Sequence, residues 1–280
     1  MDSLPILAII AAAFLHAVWN YILKDSSDKA VCIIIIYLAS LPFALFAMSL
    51  AGMPGYNALP VIILSAVLQT GYCILLFKGY EIGSLSSVYP IARGSAPIFI
   101  FFYSVIFFEM PNNLQITLGV IIICVGLFYY GLSTIQNVGS KPREILFALA
   151  VGLFIAGYSI TDATGARLVG NAFSFFGAMA IFNRLFLILY LYYSEKGILQ
   201  RIRQEFNYRF ALAGLFAFIC YAVVLWAYTV LPIPIVATLR ESSIVFATLL
   251  GVLALREKLN VPKLVMLGSV ISGLFLLLNV

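Results

Sequence analysis

Ten apolar runs take up most of this chain: residues 4–23, 30–51, 58–79, 85–108, 114–134, 144–162, 172–193, 208–229, 235–255 and 262–279. Each is close to the roughly 20 residues a helix needs to cross the hydrocarbon core of a bilayer. No soluble fold has an interior for so many unbroken runs. The composition agrees, with 64% hydrophobic and 10% charged residues, against about 45–50% and 25% in soluble domains. The runs do not alternate polar with apolar, so their backbone groups must be satisfied inside helices rather than across a β-barrel. The expectation is an all-α integral membrane protein with ten transmembrane helices.

No Lys or Arg precedes the first run and no cleavage signal closes it, so it reads as a membrane helix and not as a signal peptide. The four cysteines, Cys32, Cys73, Cys124 and Cys220, lie inside apolar runs without a CxxC spacing and read as packing residues. A net charge of +5 would suggest nucleic acid in a soluble protein. Here it is distributed by loop, and no nucleic-acid partner is expected. Twelve of the 16 Lys and Arg fall in or beside odd-numbered connections, Arg167 alone falls in an even one, and three lie within the runs. The positive-inside rule then places odd connections in the cytoplasm and both termini on the non-cytoplasmic side of the cell (inner) membrane.

The two halves of the chain repeat each other. The segment YEIGSLSSVYPIARGSAPIFIFFYSVIFFEMPNNLQITLGVIIICVGL is similar to YTVLPIPIVATLRESSIVFATLLGVLALREKLNVPKLVMLGSVISGL. Arg93 aligns with Arg240, and Glu109 with Glu257 after a gap of one residue. The halves, 1–137 and 138–280, hold five runs each, and an odd number makes the second copy enter the membrane from the opposite side. Inverted repeats around a midplane site are a recurrent transporter design.

An apolar run ending in Glu, a short polar loop and a glycine-bearing helix occurs twice, as Phe108-Glu109…Gly119…Gly126 and Arg256-Glu257…Gly268…Gly273. This pattern resembles the EamA repeat of the drug/metabolite transporter superfamily, and the opening LHAVWNYILKDSSDK resembles the first helix of one of its branches. The resemblance covers nearly the whole chain. It implies a secondary transporter of small metabolites that hydrolyses no ATP and needs no cofactor, and it leaves the cargo open among amino acids, amines, nucleotide sugars and organic acids.

Charged side chains deep in a bilayer cost about 2.5–3.5 kcal/mol each on the lenient insertion scale, and so face an interior cavity and partners. Four stand out: Arg93, Arg184, Arg240 and Glu241. Their surplus of positive charge suits an anionic group, because a guanidinium binds carboxylate or phosphate oxygens through two parallel hydrogen bonds. Pro90 and Pro97 bracket Arg93, and Pro232 and Pro234 precede Arg240. Proline inside a helix removes a backbone donor, so bent helices at the substrate site are expected. Arg93 either contacts substrate, ties two helices together through a carbonyl or Glu241, or reaches the cytoplasmic face. Arg184 either joins the site or lies near the end of its run. Glu241 is read as the one acid deep in a run, either an ion-pair partner or a proton-coupling group.

His16, Trp19 and Asn20 share one helix face at i, i+3 and i+4, where they either line a cavity or hydrogen-bond between helices. Tyr89, beside Pro90, and Tyr158, which aligns with Trp19 in the repeat, are further candidates for the cavity wall. With one histidine, no Cys/His cluster and no intramembrane carboxylate pair, neither nucleophilic nor metal-dependent catalysis has its parts, so no enzyme and no metal site are expected. The leading expectation is a carrier, monomeric and surrounded by lipid, that exports amino acids or related carboxylates by alternating access. The alternatives are uptake of a phosphate- or phosphonate-bearing metabolite and export of an amine or drug.

Overall fold

A computed structural model describes residues 3–24, 28–82, 85–107, 113–138, 142–255 and 259–279. They form helices α1 (Ser3–Lys24), α2 (Lys29–Ala51), α3 (Leu59–Ile82), α4 (Leu85–Ile106), α5 (Leu114–Val138) and α6 (Pro142–Val169). There follow α7 (Ala172–Ser194), α8 (Ile198–Glu205), α9 (Tyr208–Val230), α10 (Ile233–Arg240), α11 (Ser243–Leu255) and α12 (Val261–Leu278). Among the described residues nine helical segments are long and apolar enough to cross a membrane, and the shorter apolar stretch Ile91–Ile106 of α4 supplies a tenth crossing. The protein is an all-helical, multi-pass integral membrane protein.

Several helices begin where an Asx side chain accepts from the first free backbone amides. Asp28 accepts from the Val31 amide at 3.1 Å, Asn113 from Gln115 at 2.9 Å, and Asn171 from Phe173 at 3.0 Å. Asn207 and Asn260 do the same for Arg209 and Lys263 at 3.0 Å. These caps satisfy donors that no intrahelical carbonyl can reach. Arg167 closes the C-terminal end of α9: its Nε and Nη2 donate to the carbonyls of Tyr228 and of the cap residue Leu231 at 2.8 and 3.0 Å. This role as a C-cap accounts for a lone cation in an even-numbered connection.

Packing runs in pairs that exchange the two halves. The contact of α3 with α6 has its counterpart in α1 with α9, and that of α2 with α9 in α3 with α7. Likewise α4 packs on α6 as α10 and α11 pack on α1. Outside this core, α5 and α12 lie side by side and antiparallel. Gln115 Nε2 donates to the Leu276 carbonyl at 3.0 Å, and further along Gly126 sits against Ser269. The crossing is close because Gly119 and Gly273 face each other: a Cβ on Gly273 would lie 2.6 Å from the Gly119 carbonyl oxygen. Gly268, grouped with these glycines by the repeat pattern, has open space where its Cβ would be. Ser269 stands opposite Gly126 in its place.

Three expectations are corrected. The sixth apolar run ends at residue 162, yet α6 continues to Val169, so Asp162 is an interior residue of a crossing and Glu241 is not the sole deep acid. Pro97 lies within α4 without interrupting it, while Pro90, with Tyr89, is outside the residues whose side chains are described. The broken crossing is the ninth, and its break does not fall at Pro232 or Pro234. Pro232 caps α10 and Pro234 lies in its first turn, where proline has no intrahelical bond to lose. The interruption comes after Arg240: the amides of Glu241 and Ser242 reach back three residues, to Thr238 and Leu239, both at 3.1 Å. One tight 3₁₀-like turn thus separates α10 from α11, a local geometry that often marks a hinge. A further element, α8, was not expected. It lies in the connection after α7 and is tied to the start of α2 by Arg201, which donates to Asp28 at 2.6 Å.

Candidate functional site

The helices enclose a cavity of about 110 Å³ whose wall is built from α1, α2, α3, α4, α6, α7, α9 and α10. One water needs at least about 10–15 Å³ of such space, so the cavity has room for several waters or a small solute. On α1–α3 the lining residues extend from mid-helix to Asn20, Ile33 and Leu76, toward the end that carries the 24–29 connection.

His16, Trp19, Asn20, Arg93, Tyr158, Arg184 and Arg240 all lie on this wall. The three arginines differ in how they are held. Arg93 is 7% exposed and meets the equally buried Glu241, with Nε 3.4 Å from Oε2. Its Nη2 donates to Ser243 Oγ at 2.9 Å. Both contacts are with the tight turn and the start of α11, so Arg93 fastens α4 to the broken crossing. Glu241 itself is not on the cavity wall.

Arg184 lies in the middle of α7, not near its end. Nη2 donates to Ser40 Oγ at 2.6 Å, Nη1 to Asn183 Oδ1 at 2.9 Å and Nε to the Tyr37 carbonyl at 3.3 Å. Its guanidinium also lies 5.1 Å from the centre of the Tyr37 ring. Much of its donor capacity is therefore used in joining α7 to α2.

Arg240, the last residue of α10, is held by neutral hydroxyls alone. Its Nη1 donates to Ser159 Oγ at 3.3 Å and to the Tyr228 hydroxyl at 3.4 Å, both neutral and both long. The Tyr221 ring centre lies 6.0 Å from its guanidinium carbon. No acid among the described residues forms a salt bridge with it, and the Tyr158 hydroxyl is a further neutral hydrogen-bond partner. An aromatic wall adjoins it: Tyr158 lies edge-on to Tyr72 at 5.5 Å and to Tyr221 at 6.4 Å. On α1, His16 and Trp19 pack edge to face at 4.9 Å, and the buried His16 Nε2 and Trp19 Nε1 have no hydrogen-bond partner among the described residues. Asn20 Nδ2 donates to the His16 carbonyl at 2.8 Å.

Sequence reasoning did not select Gln69, Tyr221 or Asp162. Gln69 and Tyr221 line the cavity, and both donate to the fully buried Asp162 behind them. Gln69 Nε2 reaches Asp162 Oδ2 at 2.8 Å, the Tyr221 hydroxyl bonds the same oxygen, and Ser65 Oγ bonds Oδ1. A lone amide at Gln69 inside an apolar run, and the polar stretch Ser159–Thr164, were the signals available.

The chain also has measurable likenesses. Residues 142–279, from α6 to the end of α12, match the model of the EamA-like transporter family. No curated protein matches the sequence. A crystal structure of a protein 14% identical to this chain superposes with a TM-score of 0.67, covering 98% of this chain and 95% of that one. At such low identity the likeness is one of fold.

Proposed function

Because this chain belongs to the EamA-like transporter family, whose members carry small molecules across membranes, we propose that it moves small carboxylates, amino acids or their close relatives, out through the cytoplasmic membrane by alternating access. The observation that carries the carboxylate reading is the bonding of Arg240, a cavity-wall guanidinium held by neutral hydroxyls and in no salt bridge among the described residues. A desolvated guanidinium in that condition gains most from an anion that accepts two of its N–H groups. The cavity size suits an amino acid better than a nucleotide sugar. Tyr72, Tyr158 and Tyr221 offer ring faces and hydroxyls to the rest of the solute, and His16 and Trp19 of α1 offer ring nitrogens that have no hydrogen-bond partner among the described residues. Arg184 lies on the wall already bonded and serves to shape it.

Gating is assigned to the broken ninth crossing. The Arg93–Glu241 pair latches the tight turn to α4, so opening the cavity to the other side requires that latch to shift with α10. Glu241 suits a latch better than a coupling group because Arg93 already occupies it. A single chain encloses the whole cavity, which supports a monomeric unit.

The test is counterflow in liposomes holding the purified protein, with L-alanine, L-leucine, L-glutamate, succinate, glycerol 3-phosphate and choline as probes, wild type beside Arg240→Gln. Exchange of amino acids or succinate that the variant loses while still folding is the expected result. Selective exchange of glycerol 3-phosphate would replace carboxylate by phosphate as the recognised group. Selective exchange of choline, unchanged in the variant, would overturn the anion reading.

A further inference from the structure

Asp162 is the one intramembrane acid among the described residues that no arginine or lysine pairs with. It is fully buried on α6, where α3 and α9 meet that helix. Its three bonding partners, Ser65, Gln69 and Tyr221, are neutral. Burying a carboxylate without a cation is expensive, so the surroundings should tell which form of the group they were built for. These partners suit both forms. Each hydroxyl donates to an ionised carboxylate and can turn to accept from a protonated one, and the Gln69 amide can present either its N–H₂ or its oxygen. Glu241 differs: its pairing with Arg93 favours the ionised form alone.

Asp162 is also connected to the cavity. Gln69 and Tyr221 touch it on one side and form part of the cavity wall on the other, and Gln69 Nε2 lies 3.0 Å from the Tyr221 hydroxyl. A proton arriving in the cavity therefore needs one hydroxyl, that of Tyr221, to reach the carboxylate. The Tyr221 ring in turn adjoins Arg240, the residue proposed to hold the substrate carboxylate.

The charged and titratable groups around Asp162 are few. On α6 itself there is Tyr158, on α9 Tyr221, on α3 Tyr72, on α7 Arg184 and on α4 Arg93, the last already facing Glu241. Arg240, on α10, is the cation whose charge acts on Asp162. The 3₁₀ turn Tyr56–Ala58 that also meets α6 brings only the exposed Tyr56. His16 belongs to the cavity wall on α1.

We propose that Asp162 is the proton-binding group of this transporter, taking up a proton with the substrate carboxylate so that both cross the membrane in the same direction. The proposal rests on the carboxylate reading above. Ionised, Asp162 offsets part of the Arg240 charge; protonated, it leaves that charge to the substrate, so the anion binds more tightly and, reciprocally, its binding draws a proton onto Asp162. The proton joins a carboxylate oxygen on one side and leaves it on the other, with no bond to carbon made or broken. Such a symporter exports whenever the outward metabolite gradient exceeds the inward pull on the proton.

The experiment uses the full chain in sodium-free liposomes loaded with the pH dye pyranine, with whichever probe of the panel exchanges best. An outward gradient of that probe should drive proton movement with it, and its apparent KM should fall about fivefold or more between pH 8 and pH 6, the lower end of typical coupling between two sites. Asp162→Asn should keep counterflow, lose the proton movement and show a KM that no longer changes with pH. His16→Gln should retain the proton movement, whatever it does to affinity. Should Asp162→Asn fail to fold, Ser65→Ala is read instead: Ser65 lies off the cavity wall and bonds the other carboxylate oxygen, so counterflow should be retained while the pH at which KM changes shifts, and an unmoved pH dependence overturns the proposal. Carboxylate exchange in the wild type without proton movement overturns the proposal and leaves the carboxylate reading standing, as does proton movement that survives in Asp162→Asn. Exchange of no carboxylate at all overturns both.

Discussion

Arg93 and Glu241 meet at 3.4 Å across the junction of α4 with the broken ninth crossing, both more than nine-tenths buried. Removing one partner strands the other's charge, whereas removing both leaves two amides that can bond each other. Loss of one partner of a buried pair typically costs about 3–5 kcal/mol, and replacement of both is often near neutral. Arg93→Gln and Glu241→Gln should each lower the melting temperature of the purified protein markedly. The double substitution should recover most of the loss. Recovery of stability without recovery of transport is expected if the pair also latches the gate. Additive losses would mean that the two residues do not act as a pair.

Arg184 and Arg240 line the same cavity, yet should answer substitution differently. Arg184 is held by Ser40, Asn183 and the Tyr37 carbonyl, so Arg184→Gln should show mainly as lost stability, at about 1.5–3 kcal/mol for each charge-assisted bond not remade. Arg240 is held by neutral hydroxyls alone, so Arg240→Lys should fold normally and raise the KM for carboxylates about tenfold or more, since an ammonium cannot match the two-pronged contact. Thermal melts and counterflow KM values on the two variants separate these roles. Equal effects on both measurements in both variants would contradict the contrast.

The crossings were legible because lipid imposes a plain rule: an apolar run of the right length must be a helix. The same rule brought Arg93, Arg184 and Arg240 to the cavity wall, since a guanidinium has nowhere else to go in a bilayer. Asp162 escaped that reading for a physical reason. A carboxylate after a long apolar run looks like the run's end, and the partners that make it tolerable, Ser65 and Gln69 of α3 and Tyr221 of α9, are 59 to 97 residues away in the chain. The ninth crossing hides its break in a related way. Proline advertises a break, but Pro232 and Pro234 lie where a helix starts, and the tight turn at Glu241 and Ser242 meets Arg93 of α4, a partner that local sequence does not contain.

The glycines of α5 and α12 should not be equivalent. A Cβ at Gly273 would press on the Gly119 carbonyl at 2.6 Å, and backbone cannot step aside as a side chain can. Gly273→Ala should therefore cost about 1–3 kcal/mol, the usual range for overpacking. Gly268 faces open space, and Gly268→Ala should be neutral or stabilising by up to about 1 kcal/mol, through the entropy of the unfolded chain. Melting curves of the two variants in one detergent check this, and a more harmful Gly268→Ala would mean that α12 presents another face to α5.

The orientation in the membrane follows from charge, and α8 provides the place to read it. Lys196, Arg201, Arg203 and Arg209 flank or belong to this helix, and the bond from Arg201 to Asp28 puts it at the same end as the 24–29 connection. With basic connections in the cytoplasm, a Gln200→Cys variant, its four native cysteines replaced by alanine, should react with a membrane-impermeant maleimide only after cells are opened. Met53, 86% exposed between α2 and α3, lies at the opposite end, so Met53→Cys should react on intact cells. The wall of the cavity reaches toward the α8 end, so this labelling pattern would also mean a cavity facing the cytoplasm, ready to load a substrate for export. The reverse pattern would turn the molecule over and make the same cavity an external one, which suits uptake.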